Sequence, residues 1–175
     1  RGIEASKGEF IAFLDSDDLW LESKIEKSLN GFVKAPDAGI ICSNEYILLE
    51  HAGKTTETYA PKKGNEQVIS FERLFMGNII SSSTAVVRRC CFDKVGLFNE
   101  SIGLRATEDY HMWLRIAAKF KVLYLDQPLG YYRIHEGSIR LDQERSLVNL
   151  YNCLTDIWRL HPPLVSSFKV NARSR

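Results

Sequence analysis

Five apolar residues, Phe10-Ile11-Ala12-Phe13-Leu14, run directly into Asp15-Ser16-Asp17-Asp18, which places three carboxylates within four positions. The apolar run reads as a strand over residues 9–14, with Phe10, Ala12 and Leu14 on one face and Ile11 and Phe13 on the other. A strand apolar on both faces suits the centre of a parallel sheet covered by helices on either side, which makes the chain an α/β protein. The acids constrain what happens at the strand's end. Two unit charges about 5 Å apart repel by roughly 3 kcal/mol at an effective dielectric of about 20, so such a cluster is either solvated or holds a cation.

The pattern beyond the acids supports the same fold class. Leu21, Ile25, Leu29 and Val33 recur every fourth residue, with Glu22, Lys24, Glu26 and Lys27 between them, which predicts an amphipathic helix closing near Pro36. Residues 39–42 form a second short buried strand, and the order strand, helix, strand implies a right-handed crossover. Residues 46–49, a turn at Ala52-Gly53 and a polar return to Tyr59 predict a hairpin, followed by a mobile loop over residues 60–67. A helix over residues 71–75, a turn at Gly77-Asn78, a strand over 83–87 and a helix over 90–95 ended by Gly96 come next. Thr107 is the expected N-cap of a helix carrying Trp113, Ile116, Ala117 and Phe120 inward. Strands over 122–125 and 129–134 flank Asp126-Gln127-Pro128, and a final helix over 147–160 stops at Pro162-Pro163. Trp20, Trp113 and Trp158 are expected on helical apolar faces, in the core. At the start, residues 1–7 read as the last turns of a helix with Gly8 as its left-handed terminator, so an N-terminally truncated domain is expected.

Composition narrows the function classes. With 175 residues, 45% of them apolar, the chain is long enough for one domain with a sizeable core. Lys and Arg number 23 against 22 for Asp and Glu, so the net charge of +1 offers no general attraction for nucleic acid. Cys42, Cys90, Cys91 and Cys153 have neither disulfide nor metal-ligand spacing and read as reduced thiols of a cytoplasm. No apolar run approaches the ~20 residues that span a bilayer. The expectation is a cytoplasmic protein, either free or peripheral at the inner membrane face.

Asp15 and Asp17 stand two apart at the carboxyl end of a buried strand, where open α/β sheets bind ligands. Oxygen donors suit Mg²⁺ or Mn²⁺, hard ions that share phosphate oxygens with a substrate, which makes a nucleoside diphosphate the natural co-ligand. The other reading is that Asp17 and Asp18 cap the helix beginning near Leu19; capping accounts for one acid well and a second in part, but not for three. Glu108 and Asp109 open a helix, where acids either complement the dipole or supply a general base, and residue chemistry leaves both open. His135 follows a strand; it is a solvated loop residue or a metal ligand that would favour manganese. Arg133 and Arg140 flank it, as surface charges or as forked partners of a diphosphate. Ser81-Ser82-Ser83 lacks a matched histidine and acid, which argues against nucleophilic serine chemistry.

Residues 2–20 together resemble the central segment of family 2 glycosyltransferases with a GT-A fold. The resemblance continues through residues 81–88, Val95-Gly96-Leu97-Phe98-Asn99-Glu100, Glu108-Asp109-Tyr110 with Trp113-Leu114-Arg115, and residues 132–138, covering about residues 1 to 140. It implies a GT-A-like (Rossmann-like) mixed sheet flanked by helices, with residues 1–160 as a partial domain and 161–175 as a tail. It also implies a metal-dependent, inverting transfer from a nucleotide-sugar, a UDP-sugar in the first instance, to an acceptor hydroxyl of a surface polysaccharide, glycolipid or glycoprotein. By that likeness Asp15-Ser16-Asp17 is the Asp-x-Asp motif, Asp17 a ligand of Mn²⁺ or Mg²⁺, and Asp15 a neighbour of the ribose. Asp18, Arg133 and Arg140 fall on the nucleotide side. Asp109 is the base, with its ordinary pKa near 4 sufficient for the task; Glu108 orients it or the acceptor, and His135 reaches the metal or diphosphate. Members of the family normally begin with strands that recognise the base, and none precedes Arg1. The alternatives are therefore an inactive fragment or assembly module whose exposed sheet edge pairs copies of the chain, and a nucleotidyltransferase of the same fold, against which the late helix carrying Glu108-Asp109 argues.

Overall fold

Two apolar clusters, one on each face of a single mixed sheet, organise the protein. The computed structural model describes residues 1–51, 54–59, 68–135 and 143–164. The expected Ala52-Gly53 turn, the loop over 60–67, Arg140 and the tail beyond 164 lie outside the described residues. The sheet comprises β1 (Phe10–Ala12), β2 (Leu19–Trp20), β3 (Ala38–His51), β4 (Lys54–Tyr59), β5 (Val68–Ile69), β6 (Val86–Arg88) and β7 (Lys121–Ile134). Its order is β1-β6-β3-β7-β2, with β4 added to β3 and β5 to β7. The helices are α1 (Gly2–Ala5), α2 (Lys24–Lys34), α3 (Phe71–Phe75), α4 (Cys90–Val95), α5 (Glu108–Ala117) and α6 (Gln143–Leu160).

Alternation along the strands feeds the two clusters. Ile40 and Cys42 join Ile11, Val87, Val122 and the inward residues of α3 to α6, with Trp113, Leu114 and Ile116 fully buried. Ile41, one residue out of phase, joins Phe32, Ala38 and Val86 beneath α2. The phenyl rings of Phe10 and Phe32 meet at 4.5 Å, and Phe13 meets Trp113 edge-on at 5.5 Å. Residues 10–13 thus serve both faces, as their all-apolar pattern requires.

Several expectations are corrected. β1 is not a central parallel strand: among the described residues it stands at the end of the sheet order and pairs antiparallel with β6. Since β6 is also antiparallel to β3, β1 and β3 run parallel, and α2 crosses between them over the inserted β6. The strand over 83–87 becomes a 3₁₀ turn, Ser82–Thr84, followed by β6. The two strands around Asp126-Gln127-Pro128 are one, β7, parallel to β3 with register irregularities where Pro128 faces Asn44. A proline lacks a ladder donor and is accommodated at such an irregularity. Gly8 carries no left-handed backbone, and Ser6 ends α1 with its hydroxyl on the Ile3 carbonyl at 2.7 Å. Trp158 is 39% exposed, not core, and Trp20 lies on β2 instead of a helix.

The sharpest difference concerns α2. Its four-residue stripe faces outward, with Val33 77% exposed, while Lys24, Ser28, Gly31 and Phe32 are buried. A Cβ at Gly31 would stand 3.2 Å from the Ile41 side chain, so helix and sheet approach too closely for a bulky residue there. Lys24 enters that contact because its ammonium donates to Ser43 Oγ at 3.2 Å and to the Thr84 carbonyl. Burial pulls its pKa down to about 8.

Candidate active site

The acid segment is a tight turn tied to the chain at several points. The Asp18 N–H donates to the Asp15 carbonyl at 3.1 Å. The Asp15 N–H donates to Ser83 Oγ at 3.0 Å, and Trp20 Nε1 donates to the Ser83 carbonyl at 2.8 Å. Ser83, set aside as a nucleophile on sequence, is a brace. Asp18 turns inward: one carboxylate oxygen accepts the Arg133 N–H at 2.9 Å, and the other is buried beside Ser83. Burial raises the Asp18 pKa, opposed by the Ser83 hydroxyl and the Arg133 backbone. None of these bonds is a capping bond: α2 begins only at Lys24, so Asp17 and Asp18 do not cap it.

β2 lies against β7 so closely that a Cβ at Gly130 would sit 2.6 Å from the Leu19 carbonyl oxygen. Backbone cannot yield as a side chain can. Gly130→Ala is therefore expected to lower stability by about 1–3 kcal/mol and to loosen the acid turn; thermal unfolding measures it, and an unchanged midpoint contradicts the close approach.

That pairing brings the end of β7 to the acids. His135 Nε2 stands 3.3 Å from Asp17 Oδ2, both groups partly exposed. The two side chains are within hydrogen-bonding distance of each other, and a carboxylate oxygen with an imidazole nitrogen is a donor pair that could hold Mn²⁺ or Mg²⁺. Among the described residues no group of three His, Cys, Asp or Glu gathers that could hold a metal ion by itself.

The third segment is the start of α5. Thr107 occupies the N-cap position, but its hydroxyl donates to the Leu104 carbonyl at 2.9 Å instead of capping. Asp109 accepts the Tyr110 N–H at 2.6 Å, and the Tyr110 hydroxyl donates to the Leu74 carbonyl at 2.8 Å, fixing α5 on α3. Burial first, then the charges of Glu108 and Asp15, push Asp109 up to about 6 against the pull of Tyr110 N–H and Asn78. This departs from the ordinary value expected on sequence. Asp15 is raised by burial and by the charges of Asp18, Asp17 and Glu108, so both acid segments lie within electrostatic reach of one another. Ala106, just before this helix, has φ 65°, a left-handed conformation that costs a non-glycine residue on the order of 1–3 kcal/mol.

A pocket of about 430 Å³ opens on the Glu108 side, with Phe98, Ile102 and Leu104 as apolar wall and Glu100, Arg105 and Glu108 as polar rim. Its size falls in the usual small-ligand range of about 300–1,000 Å³. Of the acids expected at the site, Glu108 lines this pocket, while Asp17 meets His135 and Asp15 lies within electrostatic reach of Glu108 and Asp109. Sequence reading missed Ser83, Asn78 and Ala106, which act through hydroxyl, amide and backbone geometry and carry no motif of their own.

The model of a family described as Glycosyltransferase like family 2 matches residues 1–153. The Escherichia coli protein named UDP-Glc:alpha-D-GlcNAc-diphosphoundecaprenol beta-1,3-glucosyltransferase WfaP is 29% identical over 156 residues, 89% of this chain and 57% of that protein. The Bacillus subtilis protein named putative teichuronic acid biosynthesis glycosyltransferase TuaG is 24% identical, over 92% of this chain and 61% of that protein. The chain thus spans a little over half the length of these relatives. The crystal structure of S. aureus TarS 1-349 in complex with UDP superposes with a TM-score of 0.61 at 14% identity, over 89% of this chain and 42% of that one. The likeness in fold places the curled mixed sheet and its helices among GT-A-like domains.

Proposed function

The chain belongs to the Glycosyltransferase like family 2, and from that premise we propose that its protein transfers a sugar from a nucleoside-diphosphate sugar to an acceptor hydroxyl, inverting the anomeric carbon. What supports this reading is the contact of Asp17 with His135, together with the electrostatic reach of Asp15 to Glu108 and Asp109. A UDP-sugar is the proposed donor, supported by the UDP bound to the structural neighbour and the UDP-Glc named for the Escherichia coli relative. A surface glycan carried on a lipid is the proposed acceptor, supported by that relative's name. No described helix is long and apolar enough to cross a membrane.

Asp17 and His135 would hold Mn²⁺ or Mg²⁺, whose charge, when the ion is bound, offsets that building on the departing diphosphate. Asp15 would face the ribose, Asp18 keeps the turn on β7, and Arg133 would supply positive charge to the diphosphate. The acceptor enters by the pocket, with Glu108 accepting a hydrogen bond from it and Asp109 removing its hydroxyl proton. As that oxygen bonds to the anomeric carbon, the bond from the same carbon to the diphosphate oxygen breaks, and its electron pair leaves with the nucleotide. Attack from the face opposite the leaving group inverts the centre.

The test is a panel of UDP-, GDP- and dTDP-sugars offered with Mn²⁺ to the natural full-length protein, following nucleotide release. Turnover of a UDP-sugar is expected. A protein that consumes none of the panel, with or without glycan acceptors, overturns the reading.

A further inference from the structure

The last helix, α6, has no role in the chemistry above, yet its side chains grip both segments that flank Glu108 and Asp109. Asn149, 6% exposed, donates from Nδ2 to the Arg105 carbonyl at 2.7 Å. The Thr107 hydroxyl reaches the Asn149 carbonyl at 3.5 Å in addition to that of Leu104. Asn152 Nδ2 donates to the Gly103 carbonyl at 3.2 Å, and beyond the acid pair Asp156 meets His111 Nε2 at 2.8 Å. Ala106, with φ 65°, lies between the two residues that Asn149 holds.

An alanine leaves the left-handed region unless its neighbours prevent it. Here the peptide before it is held by the Asn149 side chain through the Arg105 carbonyl, while the Thr107 hydroxyl after it stands against the Leu104 carbonyl and the Asn149 backbone. We propose that Asn149 is a positioning residue: by keeping Ala106 left-handed it sets where Glu108 and Asp109 stand relative to Asp15 and the pocket. This rests on the reading of Asp109 as the base. Without the Asn149 amide, Ala106 relaxes toward an ordinary backbone and the first turn of α5 shifts, and a displacement of about 1 Å at a catalytic group costs on the order of 100-fold in rate. Glycine occupies the left-handed region freely, so Ala106→Gly removes the need for the clamp.

The experiment compares Asn149→Ala, Ala106→Gly and the double variant in the natural full-length protein, by kcat for transfer, by Kd for UDP with Mn²⁺, and by hydrogen exchange of the 107–110 amides. Asn149→Ala is expected to lower kcat about 10- to 100-fold with Kd within about twofold, and to speed exchange about tenfold; the double variant recovers most of both. Should Asn149→Ala not fold, Asn149→Leu, which has a similar shape but lacks the donor to the Arg105 carbonyl, serves with the same expected rescue. Wild-type kcat in the clamp variant, or a double variant as impaired as the single, overturns the positioning role while Asp109→Asn remains inactive. Altered exchange in a protein that transfers no sugar in any form overturns the reading of the site, and the positioning role with it.

Discussion

Asp109→Asn is expected to lower the transfer rate by about 10²- to 10⁴-fold while leaving donor binding within about twofold. The carboxylate lies at the first turn of α5 and is pushed up to about 6 by burial and by Glu108 and Asp15. A base with that value is ionised at neutral pH and retains more proton affinity than an ordinary aspartate, which favours proton removal as the acceptor hydroxyl acidifies in the transition state. The rate should therefore rise tenfold per pH unit below about 6 and level off above it, and Asp109→Asn should lose that limb. Stability follows the opposite course. The folded carboxyl binds its proton more tightly than the unfolded one, so the protein gains stability as pH falls through about 6 toward 4. The Asp109→Asn variant carries a neutral amide at every pH and should unfold at a higher temperature than wild type at pH 7. An Asp109→Asn protein with normal turnover would move the base elsewhere, to Glu108 first.

The second large effect is at Asp17. Asp17→Asn keeps the shape of the side chain and the turn but removes the anionic donor beside His135. Metal-dependent UDP affinity should fall about 100-fold or more, because even partners one layer outside a metal's ligands cost about 10–100-fold. His135→Ala should lose less and should narrow the preference for Mn²⁺ over Mg²⁺, since imidazole suits the former better. Calorimetric titration of UDP at fixed Mn²⁺ and fixed Mg²⁺ separates the two variants. UDP binding by Asp17→Asn equal to wild type would remove Asp17 from the metal.

Much of this architecture was legible because it rests on patterns with short range. Apolar residues on both faces of 10–13 demanded cover on both sides, and the two clusters supply it. The acids at the end of that run, the acidic opening of α5 and the histidine after β7 are each local features; the fold sets Asp17 against His135 and Asp15 within electrostatic reach of Glu108 and Asp109. What escaped was set by long-range packing. The antiparallel pairing of β1 depends on β6, more than seventy residues away. The outward turn of the Leu21, Ile25, Leu29 and Val33 stripe follows from the close approach at Gly31 and the bonds made by Lys24, neither of which hydrophobic spacing encodes. Asn149 and Ala106 were silent because an asparagine on a helix and an alanine in a turn become informative only when the two are seen in contact.

The proton nuclear magnetic resonance spectrum of the first transfer product, recorded before any anomeric equilibration, tests the central claim most directly. A single carboxylate base with in-line attack predicts an anomeric coupling opposite in configuration to that of the UDP-sugar consumed. A product with the donor's configuration would require two displacements, and would contradict the assignment of Asp109 and the cleft built around it.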